Sequence, residues 1–294
     1  MPATQISSGR QVMLKIVCTR PEYLGGEELD ILQFLNDPAL RSHPDNPAVE
    51  LLDVLDLPTL PRGEQLASCF KIIVMPFLRE VGFSICGDTR TVLDLMRQSF
   101  TAIAFLHSHG ICHRDIGRGN FMLSGDTPSC RLHVIDFGQS FRLPISGRAL
   151  VQSIRGPWIG GQIQVHPESE YERGTLHDPF MAEVYALARM WELLFVKCPY
   201  PVQMLINRMK NRNPDARPTL AAALQGLDDA IDVLPPHVLR EPQQYVRMAA
   251  SNRGSQSWST IWSAGVYYPY LVFFSFCCFL LFSPSWSSAV TRVS

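Results

Sequence analysis

The chain has 294 residues, 46% of them hydrophobic and 18% charged, with a formal net charge of −1 at pH 7. That composition excludes a disordered chain, and near-neutral charge without a long single-sign run argues against a nucleic-acid partner. The eight cysteines (Cys18, Cys69, Cys86, Cys112, Cys130, Cys198, Cys277, Cys278) form no C-x-x-C pair and no zinc-type spacing, the pattern of reduced, intracellular thiols.

In chain order, residues 1–10 are polar and lack the apolar stretch of a signal peptide. Gln11 to Val17 (Q-V-M-L-K-I-V) reads as a strand broken by one lysine. Glu27 to Leu35 has Leu29, Leu32 and Phe34–Leu35 near helical spacing and reads as an amphipathic helix. Val49 to Leu55 and Phe70 to Met75 read as strands, separated by the Pro- and Gly-bearing loop Leu57 to Gly63. Thr91 to His109 is the clearest helix, with Gly110 placed to stop it. Short β segments are expected around Phe121–Leu123 and Leu132–Ile135, and helices through Met181–Leu194, Val202–Met209 and Thr219–Leu227. Strands first and helices later predict an α+β fold of two lobes, a small β-rich one and a larger helical one.

The strongest chemical signal is H-R-D-I-G-R-G-N, His113 to Asn120, followed by I-D-F-G, Ile135 to Gly138. An Asp with an Asn five residues on, then a second Asp, suits phosphoryl transfer, which needs a carboxylate near the attacking hydroxyl and hard oxygen ligands for Mg²⁺. Both motifs, in order and after a long helix ending L-H-S-H-G-I, resemble the catalytic and metal-binding loops of eukaryotic-type protein kinases. The resemblance implies ATP and Mg²⁺ as cofactors and a protein substrate phosphorylated on Ser or Thr. It implies Asp115 as catalytic base, with His113, Arg114 and Arg118 beside it in the loop, and Asn120 and Asp136 as metal ligands.

The other parts follow the same order. Lys15 matches the lysine on the α- and β-phosphates, and Glu28 its ion-pair partner. The segment I-I-V-M-P-F-L resembles the strand running into the hinge, with Met75 as gatekeeper. Adenine would accept a bond from the Leu78 amide and donate one to the Pro76 carbonyl, which proline retains. Met122, two residues past Asn120, completes the nucleotide-contacting set. V-H-P-E (Val165–Glu168) resembles the motif closing the activation segment, so that Glu168 and Arg217 would form a buried ion pair. The loop H-P-D-N-P-A-V-E-L-L-D-V-L-D and the hinge look most like the divergent kinase-like families of fungi.

Four features depart from that pattern. No G-x-G-x-x-G precedes Lys15, so the first strands and the phosphate-covering loop are either missing or truncated. Gly117 stands where Ser/Thr kinases keep a lysine, which Arg118 would replace imperfectly. Met13 stands where a small alanine leaves room above adenine, and Glu183 stands for an Asp. These departures keep open a second reading, a pseudokinase acting as a binding or scaffold module. Arg114 would pair with a phosphate on Ser140, Ser146 or Ser153, or with a carboxylate or backbone carbonyl.

The expected organisation is a kinase domain over 1–232, a linker over 233–260 and a hydrophobic tail over 261–294. Residues 264–282 carry no charge and have the length to nearly cross a bilayer core as a helix. A C-terminal membrane anchor below a cytosolic kinase domain is one reading of this run. A buried segment packed on the domain, or an artefact of a mis-predicted coding sequence, are the others; without an anchor the protein would be cytoplasmic.

Overall fold

The computed structural model describes residues 1–20, 25–57, 69–81, 87–125, 129–143, 151–152, 176–195 and 197–243. The N-terminal lobe is a four-stranded sheet in the order β1 (Pro2–Thr4), β2 (Gln11–Cys18), β4 (Phe70–Pro76), β3 (Asp53–Asp56). The β-branched and aliphatic residues of β2 suit an antiparallel ladder with β4, in which Met13 faces Met75 and Lys15 faces Ile73. Directly opposed residues share a face, so Met13, Lys15, Ile73 and Met75 lie on one side of the sheet. Helix α1 (Glu28–Leu35) buries Leu29, Ile31, Leu32 and Leu35, and the short helix α2 (Pro38–Arg41) follows, capped by Asp37.

After the two-residue strands β5 (Arg79–Glu80) and β6 (Gly87–Asp88), helix α3 (Thr89–Ser108) forms the spine of the second lobe. It begins two residues before the expected Thr91, because the Asp88 carboxylate accepts the Thr91 N–H at 2.9 Å and fixes the first turn. Its stop at Gly110 is as expected: that residue has φ 72°, a conformation open to glycine without a Cβ penalty. Strand β7 (Ile111–Cys112) then leads to a three-stranded sheet in the order β5, β8 (Phe121–Ser124), β9 (Arg131–Val134). Strand β10 (Phe141–Arg142) pairs with β7, and β11 (Val151–Gln152) with β12 (Leu176–His177).

Helix α4 (Pro179–Leu194) starts at Asp178, whose carboxylate accepts the Phe180 and Met181 amides, and α5 (Tyr200–Met209) and α6 (Leu220–Asp232) pack after it. The core runs without a break from Val17 and Leu32 through Phe100 and Phe121 to Trp191 and Leu227. Within it, the Trp191 Nε1–H donates to Ser99 Oγ at 2.8 Å, so the largest buried side chain keeps its polar atom satisfied.

Residues 233–243, within the expected linker, carry regular structure. Helix α7 (Pro236–Leu239) buries Leu239, and β13 (Pro242–Gln243) pairs with β6. Gln243 Nε2 donates to Thr89 Oγ1 at 2.8 Å and to the Lys197 carbonyl at 3.2 Å, tying the segment to α3.

Residues 4–10 form a turn closed by the Gln5 amide on the Arg10 carbonyl at 2.9 Å, with Gly9 at φ 68°. The expected tail segment 264–282 lies outside the described residues, among which no helix is long and apolar enough to cross a membrane.

Candidate active site

Strand β2 delivers Lys15, helix α1 delivers Glu28, and the turn after β9 delivers Asp136. Lys15 Nζ donates to Glu28 Oε1 at 2.6 Å and to Asp136 Oδ1 at 2.7 Å, so one ammonium joins three separate elements. Burial alone would lower the Lys15 pKa, but the two carboxylates outweigh it and the net shift is upward. Burial alone would likewise raise Asp136; Lys15 outweighs it, and the carboxyl is held below its ordinary value. At Glu28 burial wins over Lys15 and pushes the carboxyl up.

Asp136 sits at φ 63°, unusual for a non-glycine residue, and its Oδ1 also accepts the Gly138 N–H at 3.3 Å. Gly138 is closely packed: a Cβ there would lie 3.1 Å from Asp136 Oδ1 and 3.3 Å from Glu28 Oε2. Phe137 turns inward, fully buried, with its ring centroid 5.1 Å from that of His113.

Asp115 and Asn120 lie on the loop between β7 and β8. Asn120 Nδ2 donates to the Asp115 carbonyl and to Asp115 Oδ2, each at 2.8 Å, which fixes one carboxylate oxygen. The other, Oδ1, is buried and has no hydrogen-bond partner among the described residues. Burial pushes the Asp115 carboxyl up, against the Asn120 bond. The loop is tied to the Asp136 strand by the Ile135 amide on the Asn120 carbonyl, 3.0 Å.

His113 is fully buried, with both ring nitrogens engaged. Nδ1 accepts the Asp115 amide at 3.3 Å, which puts the proton on Nε2, 3.0 Å from the Ile135 carbonyl it donates to. Both bonds hold the backbone around the loop that carries Asp115. The Arg114 guanidinium lies 5.3 Å over the Phe141 ring. Ser140, one of the expected phosphate carriers, is buried and donates to the His113 carbonyl at 3.1 Å; Ser146 and Ser153 lie outside the described residues.

The remaining residues spread around this centre. Met75 is buried beside Met13 on the Lys15 face; Pro76 and Leu78 are half-buried where β4 ends. Met122 alternates away from the buried Phe121 and Leu123 and faces His133 across the ladder. Arg118 opens the turn Arg118–Asn120 and is half-buried. Glu168 lies outside the described residues; Arg217 is buried, donates to the Asn211 and Met181 carbonyls at 2.8 Å, and stacks 5.1 Å over Tyr185.

Sequence reasoning noted Glu183 only as a departure. In the fold its Oε1 accepts the Arg114 amide at 2.5 Å and its Oε2 lies 2.7 Å from His107 Nε2. Burial would raise its pKa, but His107 and the amide outweigh it and the carboxyl is held low.

The donor set fits a hard cation. Asn120 spends its Nδ2 on Asp115, which leaves its Oδ1 as an oxygen donor, and the Asp136 side chain is 46% exposed. One carboxylate and one amide oxygen are the small protein share that Mg²⁺ takes when phosphates and water complete its shell.

Comparison with known proteins agrees with this geometry. Residues 76–157 match the family model "Protein kinase domain", less than half of the chain. The chain is 36% identical over 69 residues to serine/threonine-protein kinase PLK4 of Nematostella vectensis, covering 24% of this chain and 6% of that protein. It is 46% identical over 54 residues to serine/threonine-protein kinase CAK1 of Saccharomyces cerevisiae, covering 18% and 15%. Germinal center kinase 3 of Caenorhabditis elegans is 29% identical over 133 residues, covering 43% and 22%. The chain thus spans less than a quarter of the length of these relatives. A crystal structure of the Rad53 kinase domain and SCD2 in complex with AMPPNP superposes with a TM-score of 0.52 at 17% identity, covering 83% of this chain and 91% of that one. The chain therefore has the protein-kinase fold.

Proposed function

We propose that the chain transfers the γ-phosphoryl group of ATP to a serine or threonine hydroxyl of a protein. The observation that carries this reading is the convergence of Lys15, Glu28 and Asp136 beside a buried carboxylate, Asp115, with one oxygen locked and the other unpaired. Relatives named as serine/threonine-protein kinases support the substrate class, and the AMPPNP complex of the structural neighbour supports ATP.

Each residue has a distinct part. Asp115 Oδ1 accepts the proton of the attacking hydroxyl, and its raised pKa makes it a better base than an exposed aspartate. Asn120 holds the other oxygen still. Lys15, cationic and aimed by Glu28, pairs with the nucleotide phosphates. Asp136 and Asn120 would hold Mg²⁺, which when bound neutralises charge between the β- and γ-phosphates. Met75, Pro76, Leu78 and Met122 would line the adenine side.

A non-catalytic binding module is the second reading. Gly117 in the catalytic loop favours it. A placement among divergent fungal kinase-like families rests on the loop after His43 and the hinge alone.

The test is phosphate transfer to a basic protein substrate by wild type and Asp115→Asn. The variant should lose about 10²- to 10⁴-fold in rate with nucleotide affinity unchanged. Equal rates would remove Asp115 as the base; no transfer by either would leave the binding module.

A further inference from the structure

Strand β10, directly after the D-F-G-Q-S stretch, is gripped from two sides. Phe141 lies under the Arg114 guanidinium, and the next residue, Arg142, lies 3.7 Å over the ring of Phe34. Phe34 belongs to the last turn of α1, the helix that carries Glu28. The Arg142 backbone amide meanwhile donates to Glu27 Oε2 at 3.4 Å, at the N-cap of the same helix. Glu27 and Phe34 are seven residues apart, about two helical turns, and so share a face. One residue therefore holds both ends of α1. The ring it covers is backed in turn by His109, edge-on at 6.1 Å, which stacks on Phe105 at 4.3 Å.

From these contacts we infer that Arg142 is a positioning residue. It fastens α1 to the strand following Asp136, so that Glu28 and Asp136 meet Lys15 as parts of one body. This rests on the reading of Lys15, Glu28 and Asp136 as the nucleotide side of an active site. The linkage runs from Arg114 in the catalytic loop, through Phe141 and Arg142, to Phe34 and along α1 to Glu28. None of its described steps uses a phosphate, and Ser140, the serine at its start, is buried and bonded to the His113 carbonyl. The helix is thus docked by stacking of a cation on an aromatic ring.

The test compares the full chain with Arg142→Ala, Phe34→Leu and the double variant. It reads hydrogen–deuterium exchange of the α1 amides together with KM for MgATP. Exposed cation–π pairs are weak, so each single change should speed exchange in α1 about two- to five-fold and raise KM by a similar factor. The double variant should go no further than the singles, and Arg142→Lys should recover part of the loss. Unchanged exchange in both single variants, or strictly additive effects in the double, would overturn the assignment. Exchange is read without turnover. A chain that transfers no phosphate would end the enzymatic reading, and the exchange rates would still decide this one.

Discussion

Glu183 Oε1 accepts the backbone amide of Arg114 at 2.5 Å, and Arg114 stands at φ 64°, in the left-handed region that non-glycine residues seldom occupy. The two facts belong together. The bond from a fully buried carboxylate on α4 holds the loop carrying Asp115 in a conformation it would otherwise leave, at a cost of about 1–2 kcal/mol. The longer side chain also reaches His107 on α3, so one residue ties the catalytic loop to two helices.

Removing that carboxylate should be felt strongly. Glu183→Ala leaves the Arg114 amide without its acceptor and should lower stability by about 2–4 kcal/mol, read as a shift in the urea midpoint at unchanged slope. Glu183→Asp, one methylene shorter, should lose one of the two contacts and about half as much. An alanine variant as stable as wild type would mean that the loop holds its conformation without this bond.

A purely structural counterpart lies in the helical core. The Trp191 Nε1–H has Ser99 Oγ as its partner, and that hydroxyl donates onward to the Met96 carbonyl at 2.7 Å. Ser99→Ala should cost about 1–3 kcal/mol, because the indole N–H is then buried unpaired. Adding Trp191→Phe removes the orphaned donor, so the double variant should be less destabilised than the sum of the single changes. Strict additivity in the unfolding free energies would show that the bond contributes nothing.

Much of the element order was legible because it rests on local signals. Gly110 after a long apolar stripe marks the end of α3, and a short apolar run broken only by Lys15 marks β2. Asp88, a residue suited by type to cap a helix, starts α3 two residues before Thr91. Other features were hidden because their partners lie far away in sequence. Nothing near Arg142 points to Phe34, and nothing near Glu183 points to the Arg114 amide. Ser140 reads as a loop hydroxyl open to modification, yet the His113 carbonyl claims it in the fold. The short helix in 233–243 was not legible, although Pro236 at its first position is a residue suited to start a helical turn.

Gly138 offers a test of crowding at the site. A Cβ at this position would press on Asp136 Oδ1 and Glu28 Oε2, both held by Lys15. Gly138→Ala should therefore displace one carboxylate and weaken MgATP binding about ten-fold or more, since small misplacements at such centres are costly. Calorimetric titration against wild type reads the change. Unaltered affinity would place the nucleotide phosphates away from this cluster.

Lys15→Met tests the charges themselves. In the wild type, Asp136 has a lowered folded-state pKa, so its stabilising share is present above the ordinary aspartate value and is lost as pH falls through the lowered one. Lys15 has a raised pKa, so its share is present below the ordinary lysine value and is lost only as pH rises beyond it. Between these limits Lys15 and Asp136 are both charged, and Glu28, whose carboxyl burial pushes up, joins them only above its own raised value. Methionine keeps the aliphatic bulk on β2 but leaves Glu28, whose side chain is 4% exposed, without its cation. The expected loss near neutral pH is about 1–3 kcal/mol, below the figure for a fully buried pair because Asp136 is 46% exposed and water screens it. That loss should shrink as pH falls below the ordinary carboxylate range, where protonation of Asp136 and Glu28 removes the penalty in the variant and the benefit in the wild type alike. Urea unfolding of both proteins over a series of pH values measures the difference directly. A difference that stays constant from neutral to acidic pH would mean that Lys15 stabilises the fold by packing, not by charge, and that Glu28 and Asp136 are not the partners that set its position.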